Sequence, residues 1–90
     1  MLSYFWLEIL LIKTERDKMF NARRLRECRL KKGLTQTELM FELDKMGLRV
    51  SRCTLLNWES GNTIPNANAL NVLAGYFNKS IKYFFAHKHN

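Results

Sequence analysis

Residues 51–61, Ser-Arg-Cys-Thr-Leu-Leu-Asn-Trp-Glu-Ser-Gly, carry a helix start signal and a helix stop signal with only one short helix between them. The Ser51 hydroxyl is placed to accept a backbone N–H as an N-cap. Gly61 can take the left-handed conformation that closes a helix. At about 100° per residue, Thr54, Leu55, Trp58 and Glu59 fall on one side of that helix. Arg52, Cys53, Leu56, Asn57 and Ser60 fall on the other. The first face can pack. The second offers a guanidinium, an amide and small or apolar groups, the chemistry that reads base edges in a DNA major groove.

The flanking sequence supplies further short helices. Upstream, Thr35-Gln36-Thr37-Glu38 fits a capping box, with a hydroxyl at the N-cap and a carboxylate three residues on. Gln36, Leu39, Met40, Leu43 and Met46 then recur at helical spacing, which predicts an amphipathic helix with this stripe in the core. Phe41 falls off the stripe and is left for the N-terminal segment or a partner. Gly47 ends the helix, and Leu48-Arg49-Val50 forms an extended connector to Ser51. Earlier, residues 22–32 predict a basic helix with Ala22, Leu25 and Cys28 inward and Gly33 closing it; Arg23, Arg26 and Lys31 read as solvated. After Gly61, Asn62-Thr63-Ile64-Pro65 reads as a loop, because the residue before proline disfavours helix. Asn66 caps a helix over 67–77 with Leu70, Leu73, Ala74 and Phe77 inward, and Asn78-Lys79 breaks it. Ser80 opens a last short helix with Ile81, Phe84 and Phe85 on one face. The expected architecture is a compact all-α domain of four to five helices over residues 19–87, with a tail at 88–90.

Ninety residues allow one modest core, and a hydrophobic fraction of 47% excludes a disordered chain. The net charge of +7 favours a polyanionic partner, nucleic acid before an anionic membrane. Cys28 and Cys53 make neither a disulfide framework nor a metal-ligand spacing, and His87 and His89 have no partner ligands nearby, which points to a reducing cytoplasm. No nucleophile–base pair, carboxylate dyad or metal set stands out, so neither enzymatic activity nor a cofactor is expected.

Residues 1–18 differ from the rest. Met1 to Ile12 is almost wholly apolar, interrupted by Ser3 and Glu8, yet too short to span a bilayer. It lacks the basic region and cleavage site of a signal peptide. Charges within 1–18 cancel, so the entire excess lies in 19–90. Three readings of this apolar extension stand side by side. It is a helix packing on the domain or a second subunit; it is a surface membrane anchor, against which the missing basic face argues; or Met19 is the natural start. For the last, Glu15-Arg16-Asp17-Lys18 can be encoded by a purine-rich run like a bacterial ribosome-binding site.

Arg24-Leu25-Arg26, Lys32-Gly33-Leu34-Thr35-Gln36 with Leu39, Ser51 with Thr54-Leu55 and Trp58-Glu59 before Gly61, and then Pro65 form an ordered set. Ala69-Leu70, Leu73-Ala74, Ser80-Ile81 and Phe84-Phe85 continue it. Over about residues 20–86 this set closely resembles the lambda-repressor/Cro-type, or XRE, helix-turn-helix family. The resemblance implies a five-helix DNA-binding domain whose third helix enters the major groove while the second lies across it against the backbone. It puts Arg52, Cys53 and Asn57 at base-reading positions and Gln36 and Ser51 at phosphate-binding ones. It also implies an ion pair between Arg29 of the first helix and Glu59 of the third. Two departures stand out. Met40 replaces the family's usual small residue, and Asp44 to Leu48 adds about five residues to the turn, so that the second helix is longer or the turn wider.

Arg52 is expected to pair with guanine or, alternatively, to hold a phosphate from the helix start; Asn57 is expected to pair with adenine. Leu56 on the exposed face suits a thymine methyl and Trp58 the core, while Cys53 suits a small groove-facing position or, at a helix N-terminus beside Arg52, a redox-sensing thiol. Lys45, Arg49, Asn62 and Thr63 are expected phosphate contacts without sequence information. The function so implied is a sequence-specific regulator on double-stranded DNA, a repressor of prokaryotic, phage or mobile-element origin, working as a homodimer without a membrane. Tyr83, Phe84 and Phe85 or residues 1–12 are candidate dimer surfaces. The competing reading is an antitoxin-like or other protein-interaction module of the same fold.

Overall fold

A computed structural model of the chain describes residues 20–85. The readings of residues 1–18, of a start at Met19 and of the tail lie outside the described residues. Four α-helices follow one another: α1 (Ala22–Lys31), α2 (Gln36–Lys45), α3 (Arg52–Ser60) and α4 (Ala67–Phe77). A 3-10 helix, Ile81–Phe85, closes the order, and no strand occurs among the described residues. The all-α expectation therefore holds, with the fifth element a 3-10 rather than an α-helix.

Local chemistry sets the boundaries. The capping box at Thr35 is complete: the hydroxyl accepts from Glu38 N at 3.0 Å, and the Glu38 carboxylate accepts from Thr35 N at 2.8 Å. Ser51 Oγ accepts from Thr54 N at 3.0 Å, and Asn66 Oδ1 from Ala69 N at 2.8 Å. All four α-helices end in the same reversal. A residue of positive φ follows each (Gly33, Gly47, Gly61, Asn78), and the next N–H donates to the carbonyl five residues back. Asn78 tolerates this conformation better than other side chains because its short amide bonds locally.

Leu25, Leu39, Leu43, Leu55, Leu73 and Phe84 are the large side chains with no appreciable exposure, one or two from each element. Burying each stabilises the fold by roughly 1.5–3 kcal/mol. Through them α3 packs against α1 and α2, while α4 packs against α2 and the 3-10 helix. Phe20 stacks on Phe84, and Asn21 N donates to Phe84 O at 2.6 Å, so the entry to α1 is tied to the end of the fold. Arg24 adds a second tie, donating to Tyr83 O at 3.1 Å with its guanidinium over the Tyr83 ring.

Three expectations need correction. Met46 is not core: α2 stops at Lys45, the chain reverses at Gly47, and the Met46 side chain is 46% exposed. Ile81 is exposed too, because the short last helix reaches the core through Phe84. Leu48, read as plain connector, is buried. Its N–H closes the reversal onto Leu43 O at 2.9 Å, and its side chain joins the core, an apolar contact that commonly accompanies this helix ending. The enlarged turn is thus resolved in both ways: α2 runs to Lys45, and the connector spans 46–51. Met40 is accommodated half-buried against the core.

Candidate nucleic-acid interface

The position of α3 is governed by one carboxylate. Glu59 accepts from Arg29 twice, Nε to Oε2 at 2.6 Å and Nη2 to Oε1 at 2.9 Å. Gln36 Nε2 donates to the same Oε1 at 3.2 Å. Arg29 Nη1 donates in turn to Leu34 O at 2.7 Å, in the turn between α1 and α2. The two charged side chains are 9% and 4% exposed, so this is a buried bidentate pair. It joins α1, the following turn, the start of α2 and the end of α3. The expected Arg29–Glu59 pair is present, and Glu59 faces inward as its place on the helix requires.

With Leu55 and Trp58 buried and Glu59 tied down, the rest of α3 is left outward. Arg52, Cys53, Leu56 and Ser60 are exposed. Cys53 is a free thiol, as is the buried Cys28. Asn57 is half-buried and more engaged than its neighbours: its amide approaches Cys53 Sγ at 4.0 Å, and its Oδ1 accepts from Asn62 Nδ2 at 3.4 Å. Its backbone carbonyl accepts from both Asn62 N and Thr63 N, at 2.9 and 3.3 Å. The exposed loop at Asn62 and Thr63 is thereby fixed over the end of the helix.

The six sequence-nominated phosphate contacts divide. Gln36 stands at the first turn of α2 and spends one amide hydrogen on Glu59. Ser51 Oγ serves as the α3 cap and lies 3.0 Å from Thr54 Oγ1. Lys45 is the last residue of α2, about 14 Å along the helix from Gln36 by its rise per residue, and Arg49 follows in the connector. They form exposed pairs with Glu42 at 3.1 Å and Asp44 at 3.4 Å. Exposed pairs of this kind contribute about 1 kcal/mol or less, so both cations exchange partners cheaply.

One residue on this side does more than the solvated role its sequence suggests. Arg26, exposed on α1, lines a cleft of about 240 Å³ together with Gln36, Leu56 and Ser60. Its spacing held the signal: it stands three residues before Arg29, on the side of α1 turned toward α3. Among the described residues no helix is long and apolar enough to cross a membrane.

These features agree with what comparison with known proteins finds. A family model described as helix-turn-helix matches residues 25–84, from the first buried leucine of α1 to the buried phenylalanine of the 3-10 helix. No curated protein and no solved structure matches the chain. With this family model reaching into every described helix, the chain belongs to the Cro/C1-type helix-turn-helix family of DNA-binding regulatory domains.

Proposed function

We propose that the protein is a sequence-specific transcriptional regulator of double-stranded DNA that acts as a repressor by occupying an operator. The observation that carries this reading is the division of α3. Leu55, Trp58 and Glu59 are committed to the fold, and Arg52, Cys53, Leu56 and Asn57 remain on the outward side. In the major groove Arg52 donates two hydrogen bonds to a guanine edge, and Asn57 turns from its Asn62 and Cys53 contacts to an adenine edge. Leu56 covers a thymine methyl and Cys53 packs as a small neighbour.

Phosphates are held at two stations. Gln36, Asn62 and Thr63 serve the strand near the α2 start and the end of α3, joined there by Arg26. Lys45, Arg49 and Ser51 serve the connector end, where Ser51 caps the start of α3. These contacts set affinity and salt dependence, whereas the α3 side chains set preference. One helix reads only a few base pairs, so a homodimer on a pseudo-palindrome, with half-sites about one helical turn apart, supplies the specificity. The setting is a reducing cytoplasm, and the exposed Cys53 thiol needs no oxidant for this role.

Selection from random duplex oligonucleotides, repeated across a salt series, tests the proposal. The expected result is an enriched two-fold motif whose affinity falls steeply with salt. Failure to enrich any motif at low salt would count decisively against it.

A further inference from the structure

Helix α1 has a second working side. Glu27 and Lys31 stand about 160° and 200° around it from Arg29 and so face away from α3. There Glu27, Leu30, Lys31, Lys79 and Tyr83 border an open groove of about 470 Å³, also lined by the buried Cys28. A smaller hollow of about 220 Å³ shares Cys28, Lys31 and Lys79 with it and adds Lys32 and Phe77. Leu30 is 53% exposed. Lys79 Nζ rests 4.8 Å from the centre of the Tyr83 ring, and Lys32 Nζ 4.7 Å from that of Tyr76. These contacts hold two ammonium groups at the rim, which lowers the ordering cost of pairing them with an anion.

No ion pair occupies Lys31, Lys32 or Lys79 among the described residues. The chain's other described carboxylates are engaged elsewhere. Glu38 completes the capping box, Glu42 meets Lys45, Asp44 meets Arg49 and Glu59 meets Arg29. On a second copy Glu42 and Asp44 each stand beside a cation, and the exposed Glu27, which has no ion pair among the described residues, borders the same groove, so these residues form no acidic patch. A nucleic-acid backbone would satisfy the lysines but leave the Leu30 and Tyr83 surface uncovered. We infer that the groove between α1, the end of α4 and the 3-10 helix docks an acidic segment of a second protein. An apolar side chain of that segment seats on Leu30 and Tyr83, and its flanking carboxylates meet Lys31, Lys32 and Lys79. Because the groove and α3 lie on opposite sides of α1, the segment binds whether or not DNA is present. The inference stands apart from the operator reading.

The test pans a random dodecapeptide display library against the immobilised full chain and measures enriched peptides, made synthetically, by fluorescence anisotropy. The expected peptides carry two or more Asp or Glu beside Leu, Phe, Trp or Met. Lys31→Glu, at an exposed site, weakens them at least tenfold while the melting profile stays that of the parent; Lys79→Glu does the same. Arg52→Ala and added random-sequence duplex DNA leave binding unchanged. The inference is overturned if no acidic peptide is enriched, or if Lys31→Glu binds like the parent. Displacement of the peptide by duplex DNA would assign the groove to nucleic acid instead. A Lys31-dependent self-association seen by sedimentation would assign it to a second copy.

Discussion

Replacing Glu59 by methionine removes three charge-assisted hydrogen bonds at once, two from Arg29 and one from Gln36. It leaves the Arg29 guanidinium buried with only Leu34 O as partner. Breaking a buried pair by removing one member costs about 3–5 kcal/mol, several times what an exposed pair contributes. For a domain of this size each kcal/mol shifts the melting temperature by about 4–8 °C, so Glu59→Met should lower it by at least about 12 °C. Urea unfolding of Glu59→Met, Arg29→Met and the double variant closes a cycle. The double variant should recover most of the loss, since two apolar side chains of similar length replace the pair without an orphan charge. It should still bind its operator poorly, because α3 has then lost its link to the start of α2. A Glu59→Met loss below about 1 kcal/mol, or a double variant no better than the sum of the singles, would refute the reasoning.

Arg52→Ala should relax preference at one or two base pairs, costing about 1–3 kcal/mol at those positions, whereas Lys45→Ala and Arg26→Ala should weaken all sequences alike and each reduce the salt slope by roughly one. Oligonucleotide selection with each variant reads the difference, and a uniform loss from all three would sink the division of roles. Gly47→Ala should destabilise by about 1–2 kcal/mol, because φ is +87° there and the strain is conformational: nothing lies within 4 Å of an added Cβ. Gly47→Asn should cost less, and equal urea midpoints for parent and Ala variant would contradict this. The Tyr83 phenol has its pKa raised above 10.0, first by burial and then by the neighbouring Cys28. The unfolded chain therefore releases this proton first, and the associated stability is lost as pH rises above about 10. Thermal melts from pH 8 upward should fall less steeply for Tyr83→Phe than for the parent; identical slopes would rule this contribution out.

Much of the fold could be read before any coordinates because its boundaries are local chemistry. Thr35 and Glu38, Ser51, Asn66 and Gly47 each act within a few residues, and each did what its neighbourhood dictated. Periodicity was reliable inside the helices and failed where it was carried past their ends, as at Met46. Burial of Leu48 depends on how a reversal folds back on a core, which no spacing encodes. The Arg29–Glu59 pair joins residues 30 apart, and only the family resemblance pointed to it. The outward face of α3 was legible from its wheel, because packing of Leu55 and Trp58 leaves the opposite side no alternative. The bonding of Asn57 to its neighbours was not legible, whereas the spacing of Arg26 from Arg29 held its place on this side and only the cleft it shares with Gln36 needed the fold.

Leu48 has a consequence for how such a domain can diversify. By plugging the core three residues before Ser51, it splits the six-residue connector into a stretch that closes α2 and a stretch that delivers α3. Loop-closure entropy changes by only about 0.6 kcal/mol when a loop doubles in length, so length itself is weakly opposed. Extra residues inserted between Leu48 and Ser51 can accumulate as drift while both helices keep their anchors. An insertion before Leu48 would pull the plug out of register with the reversal at Gly47. Variation in turn length across descendants of this sequence should therefore be lopsided, gathering at Arg49 and Val50 and sparing residues 46–48.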